Sequence, residues 1–370
     1  MANSRKWFHF IVSGGKEGKL VKIVLSPLCL LSFFYGLAVW ARSWFYDRGI
    51  FSSHSLPGKV ISVGNITMGG TGKTPFAAWL AKAAQARGFR VAFLSRGYKG
   101  NFPGPYGVVS DGEKIFMDAR QAGDESYLVA RKLQGIPIIV GRKRCLSGKF
   151  AIAKYKSQVV ILDDGFQHLG LKRDVNLLLL DAQNPFGNGW LFPRGSLREP
   201  LRQVKRADAV ILTKCDQSDN INKLKEKLNK LAHNLPIFAM RYIPTGIHSR
   251  GEGKTLPIED LQNRKVWAFT GIGQPQSFLK TLLAMGACVV GFEAFPDHYW
   301  YKARDFKRFM KEGETKGAEV LVTTEKDMVR LEGFIPGKLS LWAVSVKHEF
   351  VENERNEFER FLWAKSGMEP

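Results

Sequence analysis

One stretch of sixteen residues, VISVGNITMGGTGKTP at positions 60–75, constrains this chain more than any other. A short β-branched run leads into a turn carrying Gly64, Gly69, Gly70 and Gly72, and the turn ends in Gly-Lys-Thr where a helical stretch begins. Glycines let backbone N–H groups converge on phosphate oxygens, and the helix N-terminus adds positive potential. Lys73 is placed to reach the β- and γ-phosphates, and the Thr74 hydroxyl to hold Mg²⁺. The phosphate cradle therefore comprises Gly69, Gly70, Thr71, Gly72, Lys73 and Thr74. Its first glycine is displaced: position 67, where G-x-x-x-x-G-K-[ST] requires glycine, is Thr67.

The surrounding pattern predicts an α/β fold, P-loop NTPase-like, with a mostly parallel sheet. Short aliphatic runs at 60–63, 91–95, 136–140, 159–162, 176–180 and 209–213 read as strands. Helical compositions at 74–87, 126–133 and 219–231 separate them. A turn-rich stretch at 243–264 reads as a linker, and beyond it strands at 266–270, 288–292, 319–323 and 341–344 alternate with helices at 275–285 and 301–312. The expected organisation is an amino-terminal membrane-associated segment (1–50), a nucleotide-binding domain (51–242), the linker, and a smaller α/β domain (265–370).

Two further motifs follow strands. In VVILDDGFQH (159–168) an apolar run delivers Asp163 and Asp164 at its carboxyl end, where open α/β sheets bind ligands. Two acids and the Thr74 hydroxyl make a hard-oxygen set suited to Mg²⁺. In TKCD (213–216), Lys214 and Asp216 resemble the element with which G proteins read guanine, or cap the next helix. Taken singly, Asp124 can cap a helix, Glu199 can pair with Arg198 or Arg202, and His298 can be a packed histidine.

Lysine and arginine number 55 against 34 acids, a net charge of +21 that favours anionic partners. Nucleic acid fits poorly, because the basic residues are not interleaved with aromatics in any recognisable motif. The four cysteines form no Cys-x-x-Cys pair, so neither a disulfide framework nor a zinc site is indicated. Residues 23–40 form an uncharged apolar run of 18, preceded by Arg5, Lys6, Lys16, Lys19 and Lys22 and closed by Trp40, Trp44, Phe45 and Tyr46. That length is marginal for spanning a bilayer, and Pro27 and Gly36 are expected to weaken a regular helix, so the segment reads as one that enters the headgroup region and returns.

The motif order GNITMGGTGKTP, SRGY, GDES, DDGFQH, LFPRGSLREPL, TKCD, FPDHY and TTEKD, behind an apolar segment, resembles the tetraacyldisaccharide 4′-kinase family, the lipid A kinases of Gram-negative bacteria. The likeness runs from about residue 25 to about residue 331. It implies transfer of the ATP γ-phosphate to the 4′-hydroxyl of a lipid A disaccharide precursor at the cytoplasmic side of the inner membrane, with ATP and Mg²⁺ as cofactors and no obligate protein partner. Members similarly lack the first Walker glycine, which accounts for Thr67. The resemblance assigns Lys73 and Thr74 to phosphate and metal, Asp163 and Asp164 to the metal region, and Glu199 to a supporting acidic role there. It makes Asp124 the catalytic base partnered by His298, although Ser126 stands where members commonly carry proline. Asp124 and His298 lie in different expected domains, so they meet only if the two lobes face each other. The alternative function is a membrane-docked nucleotide switch or GTPase that recruits protein partners.

Overall fold

The computed structural model describes residues 25–218, 220–250, 255–331 and 337–368. The amino-terminal cationic flank expected before residue 23 lies outside them, as does part of the expected linker. The first lobe opens with helix α1 (Ser26–Asp47) and continues β1 (Lys59–Gly64), α2 (Lys73–Ala86), β2 (Val91–Ser95), β3 (Tyr106–Ser110), α3 (Ala119–Ala122) and α4 (Asp124–Lys132). Then come β4 (Ile138–Gly141), α5 (Arg144–Tyr155), β5 (Val159–Asp163), β6 (Val175–Asp181), β7 (Ala209–Thr213), α6 (Ile221–Leu231) and β8 (Ile237–Ser249). The second lobe holds β9 (Thr255–Leu256), β10 (Lys265–Thr270), α7 (Pro275–Ala284), β11 (Cys288–Ala294), α8 (Ala303–Thr315), β12 (Val320–Thr324) and α9 (Glu325–Val329). Strand β13 (Ser340–Phe350) and helix α10 (Glu354–Ser366) complete the chain.

The strands join in one path, β11-β10-β12-β13-β8-β7-β6-β1-β5-β2-β4-β3, with β9 beside β8. Strands β5, β6 and β7 are buried along their whole length, as continuous aliphatic runs covered on both faces must be. The register of β1 on β5 sets Val63 opposite Asp163, so the glycine turn and the twin acids leave the sheet side by side.

The first part of the expected linker, residues 243–249, is strand. Residues 237–239 of β8 pair in parallel with β7, and residues 240–249 pair antiparallel with β13, so one strand serves both lobes. Pro244 and Gly246 look like turn residues in the sequence, but the register shift opposite Ser345 and Val346 absorbs them as a bulge. The carboxyl-terminal residues also cross back. Phe358, Leu362 and Trp363 of α10 are buried in the first-lobe core with Phe76, so residues 265–370 do not form the second lobe alone.

From Ser26 onward the apolar run lies in an unbroken helix of 22 residues, α1, rather than the interrupted segment expected from Pro27 and Gly36. Pro27 lies in the first turn, where no intrahelical N–H is needed. At Gly36 a Cβ would meet the Leu191 side chain at 2.7 Å, so this glycine lets the helix seat on the body. The Ser32 hydroxyl donates to the Leu191 carbonyl (2.8 Å), Tyr35 to the Arg198 carbonyl (2.9 Å), and Arg42 to the Gln167 carbonyl (2.8 Å). The opposite face leaves Leu30, Leu31, Phe33, Phe34 and Leu37 exposed.

Candidate active site in the cleft between the lobes

A cleft of about 1240 Å³ separates the lobes, and Gly69–Thr74, Asp163, Asp164, Arg198, Asp297, His298 and Lys326 line it. At its base Gly72 caps α2 in the left-handed region (φ 79°), and a Cβ there would meet the His348 ring at 2.4 Å. Glycine is required on both counts. The cradle is braced from behind: Asn65 Nδ2 donates to the Thr71 hydroxyl (3.0 Å), and the Thr213 hydroxyl donates to the Thr71 carbonyl (3.1 Å).

The twin acids divide. Asp163 Oδ2 lies 3.0 Å from the Thr74 hydroxyl, while its Oδ1 is buried and without a hydrogen-bond partner. Burial, then the neighbouring Glu125 and Asp164 charges, push its carboxyl up to about 7. Asp164, on a left-handed backbone (φ 51°), turns the other way onto Arg198 Nη1 (3.0 and 3.2 Å) and Lys73 Nζ (3.5 Å). Burial alone would raise it, but Lys73 and Arg198 outweigh that and hold it near 2. Asp163 is thus the acid facing Thr74, and Asp164 the one that anchors Lys73.

Asp124 and His298 meet across the cleft, with His298 Nδ1 at 3.0 and 2.9 Å from the two Asp124 oxygens. Gly123 makes this possible from the first lobe: its φ is 83°, and a Cβ would stand 2.6 Å from the Tyr98 carbonyl oxygen. Asp124 is only 4% exposed and lies behind His298, which is on the cleft wall. Burial works against the Asp124 anion, but the His298 hydrogen bond and the Lys326, His298 and Arg330 charges outweigh it and bring the carboxyl down to about 2. Arg330, fully buried, approaches Asp124 at 3.6 Å and pairs with Asp327 at 2.6 Å.

Glu125 and Lys326 join the site without a sequence signal that marks them as site residues. Glu125 Oε2 is 3.1 Å from the Thr74 hydroxyl, and its Oε1 accepts from Lys326 Nζ at 2.8 Å. Burial disfavours the charged form of each, yet their mutual attraction prevails, so the acid is held below and the amine above its ordinary range. Both lie within the GDES and TTEKD motifs.

Glu199 is a correction. It is 1% exposed, pairs with Arg206 and lies 3.5 Å from Gln167 Nε2, and it is not among the residues lining the cleft. Its carboxylate neutralises a buried guanidinium instead of facing Thr74. TKCD also departs from a base reader: Asp216 accepts the Tyr242 N–H at 3.0 Å and Lys214 pairs with Asp181 at 2.6 Å. Among the described residues, no group of three or more His, Cys, Asp or Glu side chains is arranged to hold a metal by protein ligands alone.

The family model for tetraacyldisaccharide-1-phosphate 4′-kinase matches residues 23–366. The chain belongs to the tetraacyldisaccharide 4′-kinase family. A tetraacyldisaccharide 4′-kinase from Syntrophus aciditrophicus is 41% identical over 349 residues, covering 91% of this chain and 93% of that one. The tetraacyldisaccharide 4′-kinase from Desulfatibacillum aliphaticivorans is 40% identical over 373 residues, with 99% of each chain covered. Among solved structures, the apo-form kinase of this family from Aquifex aeolicus, described in complex with ATP, superposes with a TM-score of 0.72 at 32% identity, covering 93% of this chain and 99% of that one. Family membership makes the chain a kinase, and the match extends through the carboxyl-terminal strand and helix, beyond the point near residue 331 where the motif likeness stops.

Proposed function

We propose that this chain transfers the γ-phosphate of ATP to the 4′-hydroxyl of a tetraacylated glucosamine disaccharide 1-phosphate, at the cytoplasmic face of the inner membrane. The observation that carries the reading is the Asp124–His298 pair, formed by residues of opposite lobes beside the Gly-Lys-Thr turn. A sugar hydroxyl is scarcely ionised near neutrality, so phosphoryl transfer needs an acceptor for its proton as the new bond forms. His298 presents its ring to the cleft while Asp124 holds Nδ1, an arrangement in which the pair takes the proton as a unit and the carboxylate stabilises the resulting imidazolium. Lys73 and backbone amides of the glycine turn hold the triphosphate, and Asp164 fixes the direction of Lys73.

The Thr74 hydroxyl and Asp163 fit Mg²⁺. They are hard oxygen donors, one carboxylate oxygen is buried without a partner, and a magnesium site needs only one or two protein carboxylates beside phosphate and water. Bound there, the ion would neutralise charge on the transferring phosphoryl group. Glu125 and Asp164 border this position, while Glu199 pairs with Arg206.

Docking on the membrane rests on α1, whose outer face is a continuous apolar stripe and whose inner face is bonded to the body. At 1.5 Å per residue its length is about 33 Å, and a helix attached along one side suits burial in the interface better than a free span. The charge of +21 favours an anionic leaflet and an anionic lipid. A guanine-reading switch loses its main support, because Asp216 and Lys214 are already engaged within the protein.

The test is incubation of the protein and Mg²⁺ with γ-labelled ATP and tetraacyldisaccharide 1-phosphate in mixed micelles. Label extracted with the lipid, at the 4′ position by phosphorus NMR, is the expected result. Nucleotide hydrolysis with unlabelled lipid would sink the proposal and favour a switch.

A further inference from the structure

We propose that Lys214 is a positioning residue that couples the seating of the second lobe to the geometry of the phosphate cradle. The inference rests on the kinase reading above and adds a role for the TKCD element, which that reading left unused.

Lys214 is 4% exposed and stands on a left-handed backbone (φ 58°) just past β7. A buried ammonium is costly unless all three of its donors find acceptors. Here they find three, each from a different part of the molecule. Asp181 Oδ2 at the end of β6 is 2.6 Å away, the Gly70 carbonyl of the cradle is 3.3 Å away, and Gln274 Oε1 completes the set from the second lobe, one residue before α7.

Thr213 and Lys214 therefore hold two consecutive carbonyls of the cradle, those of Thr71 and Gly70. In a planar trans peptide the N–H points opposite the carbonyl, so fixing the two oxygens also fixes the directions of the Thr71 and Gly72 N–H groups. The Thr71 N–H closes onto the Gly69 carbonyl at 3.1 Å, and the Gly72 N–H belongs to the residue that caps α2. Preorganised N–H directions of this kind are what make a glycine turn a phosphate site.

Gln274 links this brace to the second lobe. The neighbouring Gly273 backbone lies so close that a Cβ there would approach the Gly70 amide nitrogen at 3.2 Å. If the second lobe moved away, the buried ammonium would lose one acceptor and its hold on Gly70 would change. The same ammonium thus registers the second lobe and sets the cradle, so full phosphoryl transfer requires both. A guanine-reading lysine would instead change the choice of base.

The experiment measures kcat and KM for ATP, the ATP-to-GTP preference and the melting temperature for the full chain in mixed micelles. The proteins are wild type, Gln274→Ala, Lys214→Met, Lys214→Arg and the double variant Gln274→Ala/Lys214→Met. Wild type labels the lipid if the kinase reading holds, so failure of that control counts against the earlier proposal and not this one. We expect Gln274→Ala to lower kcat about tenfold and Lys214→Met about a hundredfold, with the double variant within about threefold of Lys214→Met. Lys214→Arg recovers part of the loss, and the base preference does not move. Losses that multiply in the double variant, a kcat for Gln274→Ala within about twofold of wild type, or an altered base preference would overturn the proposal. If Lys214→Met does not fold, Gln274→Ala decides alone: reduced kcat with an unshifted melting temperature supports the coupling, and any other result contradicts it.

Discussion

At the scale of single residues, the chemistry turns on how one dipeptide is divided. Asp163 is raised to about 7, first by burial and then by Glu125 and Asp164, whereas Asp164 is held near 2 because Lys73 and Arg198 outweigh its own burial. The folded protein binds more protons than the unfolded chain between the ordinary carboxylate range and about 7, so the Asp163 contribution to stability falls as pH rises through that window. Asp163→Asn in the ligand-free protein is expected to melt higher than wild type at pH 8, the gain shrinking toward pH 4. Mg²⁺ should raise the melting temperature of wild type at pH 8 and not that of the variant. A pH-independent difference, or equal stabilisation of both by Mg²⁺, would contradict the placement of the charge. Lys73, Thr74 and both aspartates were legible in the sequence because strand, turn and helix fix them locally. Glu125 and Lys326 were not, since their contact joins residues 201 positions apart. The Glu199–Arg206 pair is likewise hidden, because nothing in the sequence signals that these side chains, seven positions apart, meet.

At the scale of elements, hydrophobic period located most strands of the first lobe to within two residues, as for β7 and β5. It failed where local signals opposed tertiary pairing. Strand β8 carries Pro244 and Gly246, whose turn chemistry is overridden by its ladder with β13. Helix α10 carries the helical spacing in Phe358, Phe361 and Leu362, but the core that it covers is that of the first lobe, far back in the sequence. In helix α1, Pro27 interrupts nothing because it lies in the first turn, the one place where proline costs a helix little. Its two faces do different work, which gives a prediction. Replacing Phe33, Phe34 and Leu37 together by glutamate should release the protein from anionic liposomes in a sedimentation assay. The melting temperature should stay nearly unchanged, because these side chains are exposed and touch little of the body. Retained liposome binding would remove α1 as the docking element.

At the scale of the molecule, two lobes sharing one sheet path through β8 and β13 build a site that neither holds alone. Their acids and bases interlock across the cleft: Lys132 with Glu325 at 2.5 Å, Lys326 with Glu125 at 2.8 Å, and His298 with Asp124 at 2.9 Å. The first lobe supplies the triphosphate cradle and Asp124, and the second supplies the histidine that meets it. The most direct measurement is a double-mutant cycle on that last pair, with single-turnover transfer from ATP to tetraacyldisaccharide 1-phosphate as the readout. Asp124→Asn and His298→Ala should each slow transfer by about 10²- to 10⁴-fold while ATP binding persists, and the double variant should be no slower than the worse single by more than about threefold. Losses that instead multiply, or a His298→Ala enzyme as fast as wild type, would mean that the two residues do not act together on the acceptor's proton.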